Sequence, residues 1–248
     1  MLEDAYFNKT RLRKSTLLEI TSVLPHLAES DLPNCLHFVA ASSVVAALDN
    51  QQLNDIFHSG ISLCDSGPLG AVLRRKISGF DNIRGSDFLR EIIRIDDGTK
   101  GHFFLVPDVT VYNSLIEYAT RINPRFKFVG SITPDFANSF DQDYPKWEFE
   151  INQSAADFVW VGLGSPKQDY IAHHLNNLTG KTCIAIGAAL EFVSGEKAEA
   201  PRLIQALYLE WLFRLINDPR RLAARYTIGN FRFLVQVGKF MLNRNQIT

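Results

Sequence analysis

In LCDSGPLG, Asp65 follows an apolar run and precedes two glycines and a proline. A carboxylate at the mouth of a cleft can take a proton from a hydroxyl. The same residue can also serve as an ordinary turn or helix cap. In FVWVGLGSPKQDYIAHHL (158–175), Gly162 and Gly164 let backbone approach a ligand closely. Ser165 caps the following helix, with Pro166 in its first turn, and the free N–H groups there would make an anion site. Lys167 adds positive charge, and Gln168 offers both a donor and an acceptor. In IRGSDFLREII, Arg84 could meet a phosphate or an acidic neighbour, and Ser86 or Asp87 would cap the helix. In IAIGAALEFVSG, the small residues Gly187, Ala188 and Ala189 would let a flat ligand lie against the backbone, with Glu191 as a polar contact. Close helix–sheet packing would need the same small residues.

Other patterns point less far. Asp141-Gln142-Asp143 has the D-x-D form that many sugar transferases use for a divalent metal, but it lies in the polar loop FANSFDQDYPKW. A solvated or capping turn is the expectation, and no metal is assigned. His173 and His174 are adjacent, so on a helix they point apart, and with His102 they make no ligand set. Cys35, Cys64 and Cys183 are an odd number without metal-type spacing and lie beside apolar runs. Buried thiols in a reducing compartment are expected. The single G-x-G lacks the third glycine of a dinucleotide fingerprint, which argues against a nicotinamide-dependent oxidoreductase. No cofactor is expected.

These residues need elements to hold them. The runs CLHFVAA (35–41), GISLC (60–64), HFFLVP (102–107), KFVGSI (127–132), DFVWVGL (157–163) and CIAIGA (183–188) read as strands. Their continuous apolarity predicts burial on both faces. SDFLREIIRI, VTVYNSLIEYATRI and SPKQDYIAHHLNNL carry helical spacing between them. The alternation predicts an α/β fold: a doubly wound, mostly parallel, Rossmann-like sheet. Ligands of such sheets bind beyond the carboxyl ends of the strands, where the residues above lie.

After residue 195 the strand signal stops. Two or three helices are predicted, with breaks near Asn217-Asp218-Pro219 and Gly229-Asn230, giving an α/β domain over 1–195 and a helical appendage over 196–248. The 248 residues carry 26 Lys/Arg and 27 Asp/Glu, a net charge of -1. Residues 202–248 alone hold eight basic and two acidic side chains. A basic tail on an acidic body suggests an anionic partner. Its aromatics sit among aliphatics as packing residues, so nucleic acid is not the expected partner. MLEDAYFNKTRLRK lacks the apolar core of a secretory leader, and no apolar stretch reaches bilayer length.

The segments DSG (65–67), RGSD (84–87), VGLGSPKQD (161–169), GAALEF (187–192) and LEWLFRLINDPRRLAARY (209–226) occur in this order. Together they resemble the WecG/TagA/CpsF family of bacterial glycosyltransferases, from about residue 36 to the end. The resemblance implies a metal-independent, inverting transfer from a UDP-sugar donor to a polyprenyl-diphosphate-linked sugar. The pathway implied is surface polysaccharide or teichoic-acid linkage synthesis at the cytoplasmic membrane face. It places the catalytic base on Asp65, the junction glutamine on Gln168, and tail arginines on Arg214, Arg221 and Arg225. An anionic membrane surface and possible homo-oligomers are the implied partners. A non-catalytic, nucleotide-sugar-binding member is the alternative. The sequence departs from the family at FVAASS, where a Thr-x-Asn segment is usual, leaving Ser42 and Ser43 as the polar groups.

Overall fold

The computed structural model describes residues 3–27, 35–135, 142–217 and 219–242, and over 219–228 only the course of the chain. Its centre is a six-stranded sheet of β3 (Cys35–Val39), β4 (Ile61–Cys64), β5 (Gly101–Leu105), β6 (Lys127–Ile132), β7 (Phe158–Val161) and β8 (Thr182–Ala185). The spatial order is β4-β3-β8-β7-β5-β6, with every pairing parallel. All six strands expected from the sequence are present.

Alternation along each strand divides the core. Leu36, Phe38, Leu63, Phe104, Trp160 and Ile184 face one side. There they meet α1 (Leu17–Leu27), α5 (Gly85–Ile95), α6 (Val109–Ile122) and α9 (Ala189–Ser194). Val159, Val161, Cys183 and Ala185 face the other side, against α7 (Tyr144–Gln153) and α8 (Lys167–Thr179). Covered on both faces, the inner strands have no polar side to show. The cysteines are free and buried, and burial pushes the Cys64 thiol up to about 12. As thiols at neutral pH they are packing groups.

Two features differ from expectation. An N-terminal antiparallel hairpin, β1 (Glu3–Phe7) and β2 (Thr10–Lys14), stands apart from the main sheet. It buries Phe7 and Leu12 against α2 (Ala41–Asp49), α3 (Gln51–Ser59) and α4 (Gly67–Arg74). The tail forms α10 (Arg202–Ala206), α11 (Glu210–Asn217) and α12 (Pro219–Leu242). The break expected near Asn217-Asp218-Pro219 falls on Asp218, outside the described residues, and α12 runs unbroken through Gly229-Asn230, where a second break was expected. A glycine inside a helix costs about 1 kcal/mol, which packing further along outweighs. Phe233 and Phe240 bury themselves in the hairpin core, with ring centroids 5.9 and 5.0 Å from Phe7.

Candidate active site

Asp65 stands at the carboxyl end of β4, its N–H still donating to the Val39 carbonyl at 3.0 Å. Its Oδ1 accepts the backbone N–H of Gly85 at 2.9 Å. The group that caps α5 is therefore Asp65, from another element. Arg84 occupies the N-cap position without a side-chain cap bond, so neither Ser86 nor Asp87 plays the expected capping part. The capping and chemical readings of Asp65 both apply to one carboxylate. Asp65 is half-buried. Removal from water pushes its pKa up to about 7, against the downward pull of the Gly85 N–H and Arg214. Glu210 adds to the rise, and Arg84 opposes it. A carboxylate that titrates near neutrality is suited to accept a proton in catalysis.

Beside it lies a knot of charge joining the body to the tail. Arg84 donates to Glu199 Oε1 at 2.7 Å and to Gln205 Oε1 at 2.5 Å. Its Nε lies 3.3 Å from Glu210 Oε1. Glu199 also accepts from Ser86 at 2.8 Å and from Arg90 at 2.7 Å. Burial raises the Glu199 pKa, but the Arg90 and Ser86 hydrogen bonds outweigh this and hold it low. Arg214 lies 3.7 Å from Glu210 and 5.0 Å above the Phe192 ring. Of the alternatives for Arg84, the acidic neighbour is the one observed. Arg84 and Arg214 both act on the charge of Asp65, and both are already paired with acids. Arg221 and Arg225 lie on α12 where side chains are outside the described residues.

The VGLGSPKQD junction is built differently from its expected form. Gly164 takes a left-handed backbone (φ +81) with open space where a side chain would lie. Gly162 is instead a packing position, since a Cβ there would sit 2.4 Å from Leu190 Cδ1. Pro166, not Ser165, is the N-cap of α8, and Lys167 is its first residue. The Ser165 hydroxyl donates to Asp169 Oδ2 at 2.7 Å and sits 2.9 Å from the Ser43 hydroxyl. Asp169 Oδ1 is 3.0 Å from His37 Nδ1, and both side chains are buried. Burial disfavours a charged His37, but Cys35 and Asp169 beside it outweigh this and raise its pKa. This chain of contacts ties β3, α2 and α8 together. It also shows where Ser43 of the departed FVAASS segment is engaged.

Gln168 is buried and leans on Gly187, whose Cβ would lie 3.0 Å from Gln168 Oε1. Gly187 has φ +65, a conformation in which a side chain is strained. Gln168 Oε1 has no protein hydrogen-bond partner among the described residues. A buried acceptor left unpaired costs about 1–3 kcal/mol. Gly85, which Asp65 caps, packs against Ile186 next to Gly187. The Asp65 and Gln168 halves thus lie close together at the carboxyl ends of the neighbouring strands β4, β3, β8 and β7. Glu191 pairs with Lys197 at 3.5 Å. His102 is a core residue, 3.1 Å from Asp96 and accepting from Trp160. Asp143 stands at the N-cap of α7 with no side-chain cap bond, and Asp141 lies outside the described residues.

Sequence reasoning missed Glu199, Glu210, Asp169 and His37. Glu210 stood four residues before Arg214, a helical salt-bridge spacing. His37 was a lone polar side chain in an apolar strand.

The sequence pattern of the glycosyl transferase WecG/TagA/CpsF family matches residues 6–247. The chain is 25% identical over 212 residues to the N-acetylglucosaminyldiphosphoundecaprenol N-acetyl-beta-D-mannosaminyltransferase of Bacillus spizizenii, covering 82% of this chain and 80% of that one. It is 23% identical over 215 residues to the protein of the same name from Bacillus subtilis, covering 85% and 82%. A Staphylococcus aureus protein of that name is 32% identical over 84 residues, about a third of each chain (34% and 33%). With its parallel sheet, its strand-end carboxylate and a match over nearly its whole length, the chain belongs to the WecG/TagA/CpsF family of glycosyl transferases.

Proposed function

We propose that the protein moves a sugar, with inversion, from a UDP-sugar to a polyprenyl-diphosphate-linked sugar. The observation that carries this reading is the state of Asp65. It is a half-buried carboxylate at a strand end, with a pKa near 7, beside two arginines that pair with other acids. The acceptor hydroxyl attacks the anomeric carbon as Asp65 takes its proton. The bond to the UDP oxygen breaks, and UDP leaves with the electron pair. One displacement inverts the configuration and needs one base. Charge growing on the leaving diphosphate is met by Arg84 and Arg214, the role a metal fills in other transferases. Gln168 Oε1 would accept from a donor hydroxyl or N–H. Gly164, Ser165, Lys167 and Gly187 belong to the same junction, and Arg221 and Arg225 are the further tail arginines proposed to meet the substrate's negative charge.

The acceptor is membrane-bound in this reading, so the protein visits the inner face of the membrane as a peripheral protein. Among the described residues no helix is long and apolar enough to cross a bilayer. The relatives' names make N-acetylmannosamine the donor sugar to test first and an N-acetylglucosaminyl diphosphate lipid the first acceptor. Incubated with UDP-N-acetylmannosamine and such a lipid analogue, the protein should release UDP in step with a disaccharide-lipid of inverted anomeric configuration. EDTA, or Asp143→Asn, should leave the rate within about twofold. Retention of configuration, or strict dependence on a divalent metal, would contradict the mechanism.

A further inference from the structure

Two guanidiniums lie beside Asp65, and neither pairs with it. Left alone in a half-buried crevice, Arg84 and Arg214 would close on the nearest carboxylate, because opposite charges within about 4–6 Å stabilise each other strongly. Arg84 has Glu199 at 2.7 Å and Asp87 at 3.8 Å besides Glu210, whereas Arg214 has Glu210 as its ion-pair partner among the described residues and acts on the charge of Asp65. Glu210, the first residue of α11, intervenes: its carboxylate is 3.3 Å from Arg84 and 3.7 Å from Arg214. Glu199 holds Arg84 from the other side at 2.7 Å.

The chain also holds Glu210 in place. Tyr208, two residues earlier, has φ +60, a left-handed conformation that costs a non-glycine residue roughly 1–2 kcal/mol. Its hydroxyl accepts from Arg74 at 3.0 Å. Its ring lies so close to Gly67 that a Cβ there would be 2.6 Å from Tyr208 Cδ1. The turn that delivers Glu210 is thus clamped onto the DSG loop that carries Asp65. Strain kept at such a place points to a role for what it positions.

We propose that Glu210 is a positioning residue for the transfer: by pairing with Arg214, and by sharing Arg84 with Glu199 and Asp87, it draws guanidinium charge away from Asp65 and preserves that carboxylate as a base in the free enzyme. The groups facing Asp65 are the Gly85 N–H and Arg84 at the start of α5, and Glu210 and Arg214 on α11. Cys64, next in the chain, is buried and neutral. Ser66 Oγ accepts the Leu69 N–H at 3.4 Å as the cap of α4. When the donor binds, its diphosphate takes over the two guanidiniums, so the effect belongs to the free enzyme.

This inference rests on Asp65 being the base, and kcat/KM for the donor against pH tests the two separately, because it reports free-enzyme ionisations. The wild type should show an acid limb near pH 7. In Glu210→Gln, Arg214 loses its acid and turns to Asp65 while Arg84 stays with Glu199 and Asp87, and the limb should move down by about one pH unit, with a lower plateau. Glu210→Asp keeps the charge and should leave the limb at its wild-type position. Glu199→Gln loosens Arg84, which keeps Glu210 and Asp87, and should shift the limb in the same direction by less, which serves if Glu210→Gln does not fold. A lowered plateau with the limb unmoved in both glutamine variants would overturn the inference and leave the base assignment standing. A wild-type profile with no acid limb near pH 7 would overturn the base assignment itself.

Discussion

Asp65 shows how a catalytic group can cost the fold something. Its pKa is raised in the folded protein, so the folded state holds the proton more tightly than the unfolded chain. Stability therefore falls as pH rises from about 4 to about 7 and stays lowered above that. Asp65→Asn keeps an acceptor for the Gly85 N–H and removes the charge. It should raise thermal stability by roughly 0.5–2 kcal/mol at pH 8, with the gain fading towards pH 4. Thermal melts at both pH values check this, and equal gains at both would contradict the buried-charge account. Gln168→Met keeps the volume and removes the unpaired acceptor. It should weaken donor binding roughly tenfold, or about 1.4 kcal/mol, as read by titration calorimetry. The placement of Asp65 and Gln168 just after strand ends was legible because the strand-end rule needs only local sequence. The partners of Arg84 were not: Glu199 and Glu210 lie more than a hundred residues away along the chain. Ser165 misled for a related reason. Its hydroxyl is taken by Asp169 and Ser43, one of them on a different element.

Among the elements, the sheet strands were legible because burial on both faces keeps β3, β4, β5, β7 and β8 largely apolar, while the partly exposed edge strand β6 still carries a short apolar run. The hairpin was not, since EDAYF and TRLRK bury only alternate residues and mix charges with apolar groups. The long α12 was half legible. Its apolar residues gave the helix, but Gly229-Asn230 suggested a break that packing overrides. Phe240 is the anchor, with its side chain fully enclosed and Lys76 over its ring at 4.8 Å. Phe240→Ala should cost about 3–5 kcal/mol locally. The expected sign is faster proteolytic cleavage within α12 while the α/β core stays protected. An unchanged digestion pattern would show that α12 is held elsewhere.

At the scale of the molecule, the tail divides its apolar residues between two tasks. Phe233 and Phe240 face inward, while Leu203, Leu207, Ile216, Phe231, Leu234 and Leu242 are exposed. That exposed set, with the basic excess of the tail, suits reversible attachment to an anionic membrane surface, each basic residue contributing about 1 kcal/mol. The alternative is a contact between copies of the chain. Removing the tail would also strip the cover from Phe7, so surface variants are the cleaner probe. The full chain should sediment with anionic vesicles at low salt and release at high salt. Ile216→Glu with Leu234→Glu should leave it in solution. Indifference to lipid charge would leave the exposed face to self-association. Charge imbalance was legible from composition, but which apolar residues face outward depends on a core that only the folded chain creates. The central claim is that Asp65 removes the acceptor proton in a sugar transfer, and single-turnover transfer by Asp65→Asn measures it most directly. With donor affinity unchanged and the fold intact, the rate should fall by about 10²–10⁴-fold; transfer at a near wild-type rate would contradict it.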